Sequence, residues 1–255
     1  MISILLGITL MAAGSDAKTY KCGQDTSVTR PYGIVRLQVA CGDEYDSSDK
    51  NITVLEFKGK KQHGISLHLD SLWRKHDSSF FVNGKHHGAL VFWDTLGNEI
   101  ARRGYHNGVQ VGKDESYWAP GRPSLIRNYN ANGEVDGPWQ KWWPNGNKRG
   151  DYVSKHDQVI SATEYYQDGK PRIKFVGSYE ARKISSLKQK YIQCESWAPN
   201  GKPAGKVVNG NGKWIIFPDG GEPAAKMVVR EVYKDSVIAD LDTLTASETA
   251  KWTAP

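Results

Sequence analysis

Hydrophobic positions in this chain come in short runs closed by glycine-bearing turns, and the runs recur at a nearly fixed spacing. Asn83-Gly84-Lys85-His86-His87-Gly88, Asn107-Gly108-Val109-Gln110-Val111-Gly112 and Asn132-Gly133-Glu134-Val135-Asp136-Gly137 each read N-G-x-x-x-G, with starts 24 and 25 residues apart. Nine residues after the last glycine of each comes another, at Gly97, Gly121 and Gly146. Between these glycines lie the aromatic pairs Phe92-Trp93, Tyr117-Trp118 and Trp142-Trp143, and each following run closes on a tyrosine, at Tyr105, Tyr129 and Tyr152. Fixed internal offsets of this kind mark a repeat architecture.

One unit can be read physically. Asn-Gly favours positive φ and makes a tight turn between two strands. The aromatic run suits a strand, and Asp94-Thr95-Leu96-Gly97-Asn98, Ala119-Pro120-Gly121-Arg122 or Pro144-Asn145-Gly146-Asn147 turns the chain back. Ile100 to Tyr105 is an example of the return strand. Gly88, Gly112 and Gly137 are expected where neighbouring units press backbone against backbone. A single hairpin cannot bury its own apolar face, so the units are expected to stack into one elongated antiparallel sheet: an all-β fold of tandem hairpins.

The copies wear down outward from the centre. Tyr165-Tyr166-Gln167-Asp168-Gly169, Trp197-Ala198-Pro199-Asn200-Gly201 and the span from Gly212 to Gly221 around Trp214 echo parts of the unit, as does Lys58 to Gly64 upstream. This organisation predicts a signal peptide over 1–17, a disulfide-stapled N-terminal segment over 18–56 and a repeat array over 57–177. An insertion or linker follows over 178–196, then degenerate repeats over 197–235 and a tail over 236–255. Residues 178–196 have lost the glycines and read as a short helix or a charged loop. A second short helix is expected around Asp240 to Trp252.

Composition supports strands and turns: nine Trp, twelve Tyr and 26 Gly among 255 residues. The formal charge of +6 is modest and its basic residues are scattered, so no Lys/Arg tract marks a nucleic-acid partner. An apolar run within residues 2–13, followed by small residues, has the length of a signal-peptide core and not of a membrane span; the competing reading is a buried first strand or helix. Cys22 and Cys41, nineteen apart just beyond that run, are expected to pair, which fits a periplasmic or secreted protein, and Cys194 is left as a buried or free thiol.

Phe81-Val82-Asn83-Gly84-Lys85-His86-His87-Gly88 resembles the core of a MORN repeat. The looser spacing and the P-N-G turns are more similar to the bacterial MORN-variant family, some of whose members are labelled antitoxins of secreted-toxin systems. The resemblance covers residues 81–177 well and 57–235 loosely. It implies a protein-binding scaffold of the immunity or antitoxin kind. Two departures stand out: the His of the H-G pair is kept only at His87, being Val111 and Asp136 in the next copies, and the glycines vanish after residue 177.

Candidate chemistry is sparse. No catalytic motif, zinc ligand spacing or calcium loop is present, so no enzyme activity, metal or cofactor is expected. His86 and His87 sit at a turn-to-strand junction and read as structural. The aromatic ladder carries the functional expectation. Adjacent aromatics on a strand point to opposite faces, so one row packs inside. The other is either exposed for a partner or buried between units. The candidate binding residues are Trp93, Trp118, Trp142, Trp143, Tyr117 and Tyr166, with Arg102, Arg103 and Lys141 beside them. The expected partner is another protein; the alternative is an envelope glycan or an anionic lipid surface.

Overall fold

The computed structural model describes residues 21–41, 52–179, 189–217, 229–234 and 237–243. The expected signal peptide and the last twelve residues lie outside them. Among the described residues every regular element is a strand, and the chain divides into two units, Met1–Val109 and Gln110–Pro255. The division falls inside the stretch expected as one array.

The first unit runs β1 (Asp25–Arg30), β2 (Gly33–Cys41), β3 (Ile52–Lys58), β4 (Lys61–Leu69), β5 (Lys75–Val82), β6 (Lys85–His86), β7 (Gly88–Trp93) and β8 (Glu99–His106). Each strand pairs antiparallel with its predecessor, except that β7 pairs back to β5 past the two-residue β6. Alternation drives this packing. Val35, Leu37 and Val39 of β2, Ile52 and Val54 of β3, and Leu67 and Leu69 of β4 are buried at every second position. Leu37, Val39, Ile52, Val54, Leu67 and Leu69 form one cluster, onto which Val28, Ile65, Trp73 and Cys41 pack. Each such side chain contributes about 1.5–3 kcal/mol on burial. The Cys22–Cys41 disulfide forms as expected, with Cα atoms 5.4 Å apart.

The second unit continues with β9 (Val109–Ala119), β10 (Arg122–Tyr129), β11 (Gly137–Trp142), β12 (Lys148–Lys155), β13 (Gln158–Tyr165) and β14 (Pro171–Tyr179). It closes with β15 (Gln189–Trp197), β16 (Pro203–Val208), β17 (Asn211–Ile216), β18 (Val229–Lys234) and β19 (Val237–Thr243). From β9 onward every neighbour in sequence is an antiparallel partner. The helix expected within 178–196 is corrected for residues 189–196, which belong to β15 paired with β14 and β16. The helix expected from Asp240 is corrected likewise, since 240–243 complete β19 against β18. In both places the backbone groups go into ladder bonds with a neighbouring strand, which a local helix period cannot anticipate. Ser178 and Tyr179 end β14 against β15, and the other residues of both expectations lie outside the described residues.

Two kinds of turn connect the strands. Asn83-Gly84, Asn107-Gly108, His156-Asp157 and Asn209-Gly210 each place two successive residues at positive φ, between 49° and 87°. That is the two-residue hairpin turn whose twist matches the flanking strands. His156-Asp157 keeps this geometry with two non-glycine residues. The longer turn spans five residues. In Asp94–Asn98, Trp143–Asn147, Tyr166–Lys170 and Ala198–Lys202 the first N–H bonds the fifth carbonyl, and the fourth residue, always glycine, bonds back to the first. The third N-G departs from expectation: Asn132-Gly133 belongs to a long turn, Asn130–Glu134, while Pro120-Gly121 of the second copy, grouped from sequence with the longer turns, is a two-residue turn. Gly88, Gly112 and Gly137 stand at φ 82°, 71° and 90° with nothing within 4 Å of an added Cβ. Their role is backbone conformation and not the close approach expected for them.

Candidate binding surface

The aromatic residues singled out from sequence meet different fates. Trp143 is buried at 2% exposure and Tyr166 at 7%, whereas Trp118 is 51% exposed; Trp93, Tyr117 and Trp142 are half-buried. Three of them form a chain of side-chain-to-carbonyl bonds. Trp118 Nε1–H donates to the Trp142 carbonyl at 3.0 Å, Trp143 Nε1–H to the Tyr165 carbonyl at 3.2 Å, and the Tyr166 hydroxyl to the Trp197 carbonyl at 2.7 Å. Each acceptor directly precedes the first residue of the next long turn. The turns are tied in the same direction: Arg122 donates to the Pro144 carbonyl, and Asn145 and Asn147 donate to the Gln167 carbonyl at 2.8 Å. This part of the ladder therefore clasps successive hairpins. Burial pushes the Tyr166 hydroxyl well above its ordinary pKa, so it stays a donor at any physiological pH.

The basic candidates are engaged with their neighbours. Arg102 forks onto Glu99 at 2.7 and 2.6 Å. The Arg103 guanidinium stands over the Phe92 ring at 5.2 Å and Lys75 over Trp93 at 5.2 Å. Lys141 reaches over Trp139 and Tyr152, which stack with centroids 3.9 Å apart. Tyr152 leans across Gly150, where an added Cβ would meet its ring at 2.5 Å, and its hydroxyl donates to Glu164 at 3.1 Å. Burial first, and then the Glu164 charge, raise the Tyr152 pKa well above the ordinary phenol. Glu164 pairs in turn with Arg172, whose Nε donates to the Phe217 carbonyl at 2.8 Å. His86 is wedged between Phe81 and Tyr105, with centroids 4.1 and 5.2 Å away, and burial lowers its pKa.

Strand register in the second unit sorts the remaining residues into rows. Trp139, Tyr152, Ala162, Phe175, Cys194 and Val207 stand opposite one another across β11 to β16. Ala162, Cys194 and Val207 are at most 4% exposed, and this is the packed face. Their chain neighbours point the other way. One row there reads Pro138, Val153, Ser161, Val176, Gln193 and Val208; the other reads Gln140, Asp151, Thr163, Lys174, Glu195 and Lys206, extended by Lys213 on β17. Val153, Val176 and Val208 are 36%, 46% and 46% exposed. The open face thus carries an apolar row beside a charged one, and shallow hollows are bordered by residues of both rows from β11 to β16.

Sequence reasoning sought the exposed row among the aromatics and passed over these valines. A signal existed: Val153 and Val176 are 23 residues apart, near the repeat period, and each follows an aromatic of the packed row, Tyr152 and Phe175. The architecture is that of an all-β protein of consecutive antiparallel hairpins. No protein-family model matches the chain, and no curated protein matches it.

Proposed function

We propose that this chain is an exported, non-catalytic repeat protein whose work is to bind another protein. The observation that carries the reading is the open face of the second unit, where three exposed valines and Pro138 line up across six strands. An ordered apolar row on a face where strands normally turn polar residues outward is characteristic of a contact surface. The Cys22–Cys41 disulfide supports an oxidising compartment, and with the apolar N-terminal run it favours the periplasm or the exterior. The resemblance to bacterial MORN-variant proteins belongs to the same proposal, and it favours neutralisation of a secreted toxin as the form the binding takes.

The test uses the mature chain as bait in envelope extract of its host. The reading expects one stoichiometric protein, lost when Val153, Val176 and Val208 are all changed to glutamate while the circular dichroism spectrum is unchanged. Retention of glycan or lipid in place of protein would move the chain to the envelope-binding class, which the exposed indole of Trp118 favours. An empty column would overturn both.

A further inference from the structure

We infer that the open face of the second unit receives a single extended segment of the partner, lying across the strands with apolar side chains toward the valine row and acidic ones toward the lysine row. The inference rests on the binding reading and specifies its partner.

Dimensions come first. Residues two apart on one strand face the same way, so the two rows are separated by roughly 7 Å, and six strands at about 4.8 Å spacing make a track about 24 Å long. That footprint is a few hundred Å², well below the roughly 800 Å² per partner of a stable globular interface. A second copy of this chain docking face to face is therefore too small a contact, and it would oppose lysines to lysines. A track of that length accommodates about seven residues of extended chain. Side chains of an extended chain alternate, so alternate residues would meet alternate walls.

Charge decides the chemistry. Along the polar wall stand Lys174, Lys206 and Lys213 against Asp151 and Glu195, and Lys148, the register partner of Trp142, reaches onto Asp151 from beside it, a surplus of two positive charges. Asp151 is held by Lys148 at 2.9 Å and by Gln140 at 2.7 Å, and Glu195 by Lys206 at 2.9 Å. The carboxylates of the wall are thus already engaged, while Lys174 and Lys213 are exposed. The other wall offers only Pro138, the three valines, Ser161 and Gln193. A segment alternating aliphatic and acidic residues complements both walls; an alternating aliphatic and basic one meets the surplus charge unfavourably.

The probe is a fluorescein-labelled, capped eight-residue peptide alternating Val and Glu, titrated with the full mature protein, with a Val/Lys peptide as its counterpart. The Val/Glu peptide is expected to bind with salt-sensitive affinity and to lose at least about tenfold on Val153→Glu, Val176→Glu, Val208→Glu. Lys174→Glu with Lys213→Glu should reverse the preference toward the Val/Lys peptide. Equal binding of the two peptides, or affinity unmoved by both sets of changes, would overturn the inference. If the native partner is captured from extract and is insensitive to both sets, the track is not the site, while the chain remains a binding protein. If no protein is captured at all, the binding reading itself fails.

Discussion

Trp143 donates its indole N–H to the carbonyl of Tyr165, 3.2 Å away, from a position only 2% exposed. The same bond recurs from Trp118 to Trp142 and from Tyr166 to Trp197, so an aromatic that ends one hairpin secures the next. The Arg149 guanidinium stands over the Trp143 ring at 4.4 Å. Trp143→Ala should therefore cost about 3–5 kcal/mol. Trp143→Phe keeps most of the packing, and its cost should be nearer 1–2 kcal/mol through the unpaired carbonyl and the lost ring area. Urea denaturation followed by tyrosine and tryptophan fluorescence measures both. A Trp143→Phe cost near zero would show that the hydrogen bond contributes nothing, and equal costs that the retained ring packing does.

Glu56 is fully buried and satisfied: Arg30 Nε bonds one carboxylate oxygen at 2.7 Å, while the Tyr32 hydroxyl and the Ile65 N–H bond the other at 2.6 and 2.9 Å. Gly64, at φ 113°, makes room for it, since an added Cβ would lie 2.2 Å from the Glu56 carboxylate. Gly64→Ala should destabilise by about 3 kcal/mol or more, through strain and displacement of a buried charge. Glu56→Gln, which keeps the shape but not the charge, should cost about 2–3 kcal/mol. Guanidinium midpoints of the two variants test the expected order.

The pair of His68 and Asp77 makes stability depend on pH in a defined direction. Their 2.7 Å hydrogen bond raises the His68 pKa above its ordinary 6.5, and bonds from His68 and His76 hold Asp77 below its ordinary 3.8 despite burial. The histidine contribution is present in full below pH 6.5 and is lost as pH rises through the folded value. The aspartate contribution is present above 3.8 and is lost as pH falls through its own. The pair therefore acts most strongly between about pH 4 and 6.5. His86 works in the opposite sense, because burial lowers its pKa and its contribution is lost as pH falls below 6.5. The measurement is thus a difference: thermal midpoints of wild type minus Asp77→Asn at pH 5.5 and 8. That difference should shrink at the higher pH, and a constant difference would refute the coupling.

Thiol chemistry checks the disulfide. Of three cysteines, two are paired and Cys194 is buried at 1% exposure. The native mature protein should show no thiol reactive toward Ellman's reagent, denatured protein one, and denatured and reduced protein three. Replacing Cys22 and Cys41 together by alanine should lower stability by about 2–4 kcal/mol.

Much of this was legible before any coordinates, because it is local. Asn83-Gly84 and Asn107-Gly108 announce their turns since two successive positive φ values are tolerated by few other pairs. The repeat period, the all-β class and the pairing of Cys22 with Cys41 followed from residue types and their spacing. What only the tertiary structure decided is non-local. Asn132-Gly133 suits either a tight turn or the glycine position of a long one, and the register of β10 against β11 chose the second. Residues 189–196 became a strand because β14 and β16 supply the hydrogen bonds on both sides. Alternation says that Tyr152 and Val153 face opposite ways, but not which way is covered. Packing on the face of Ala162, Cys194 and Val207 buried one row and left the valines open, since burial depends on what lies opposite a residue in space and not on its neighbours in the chain.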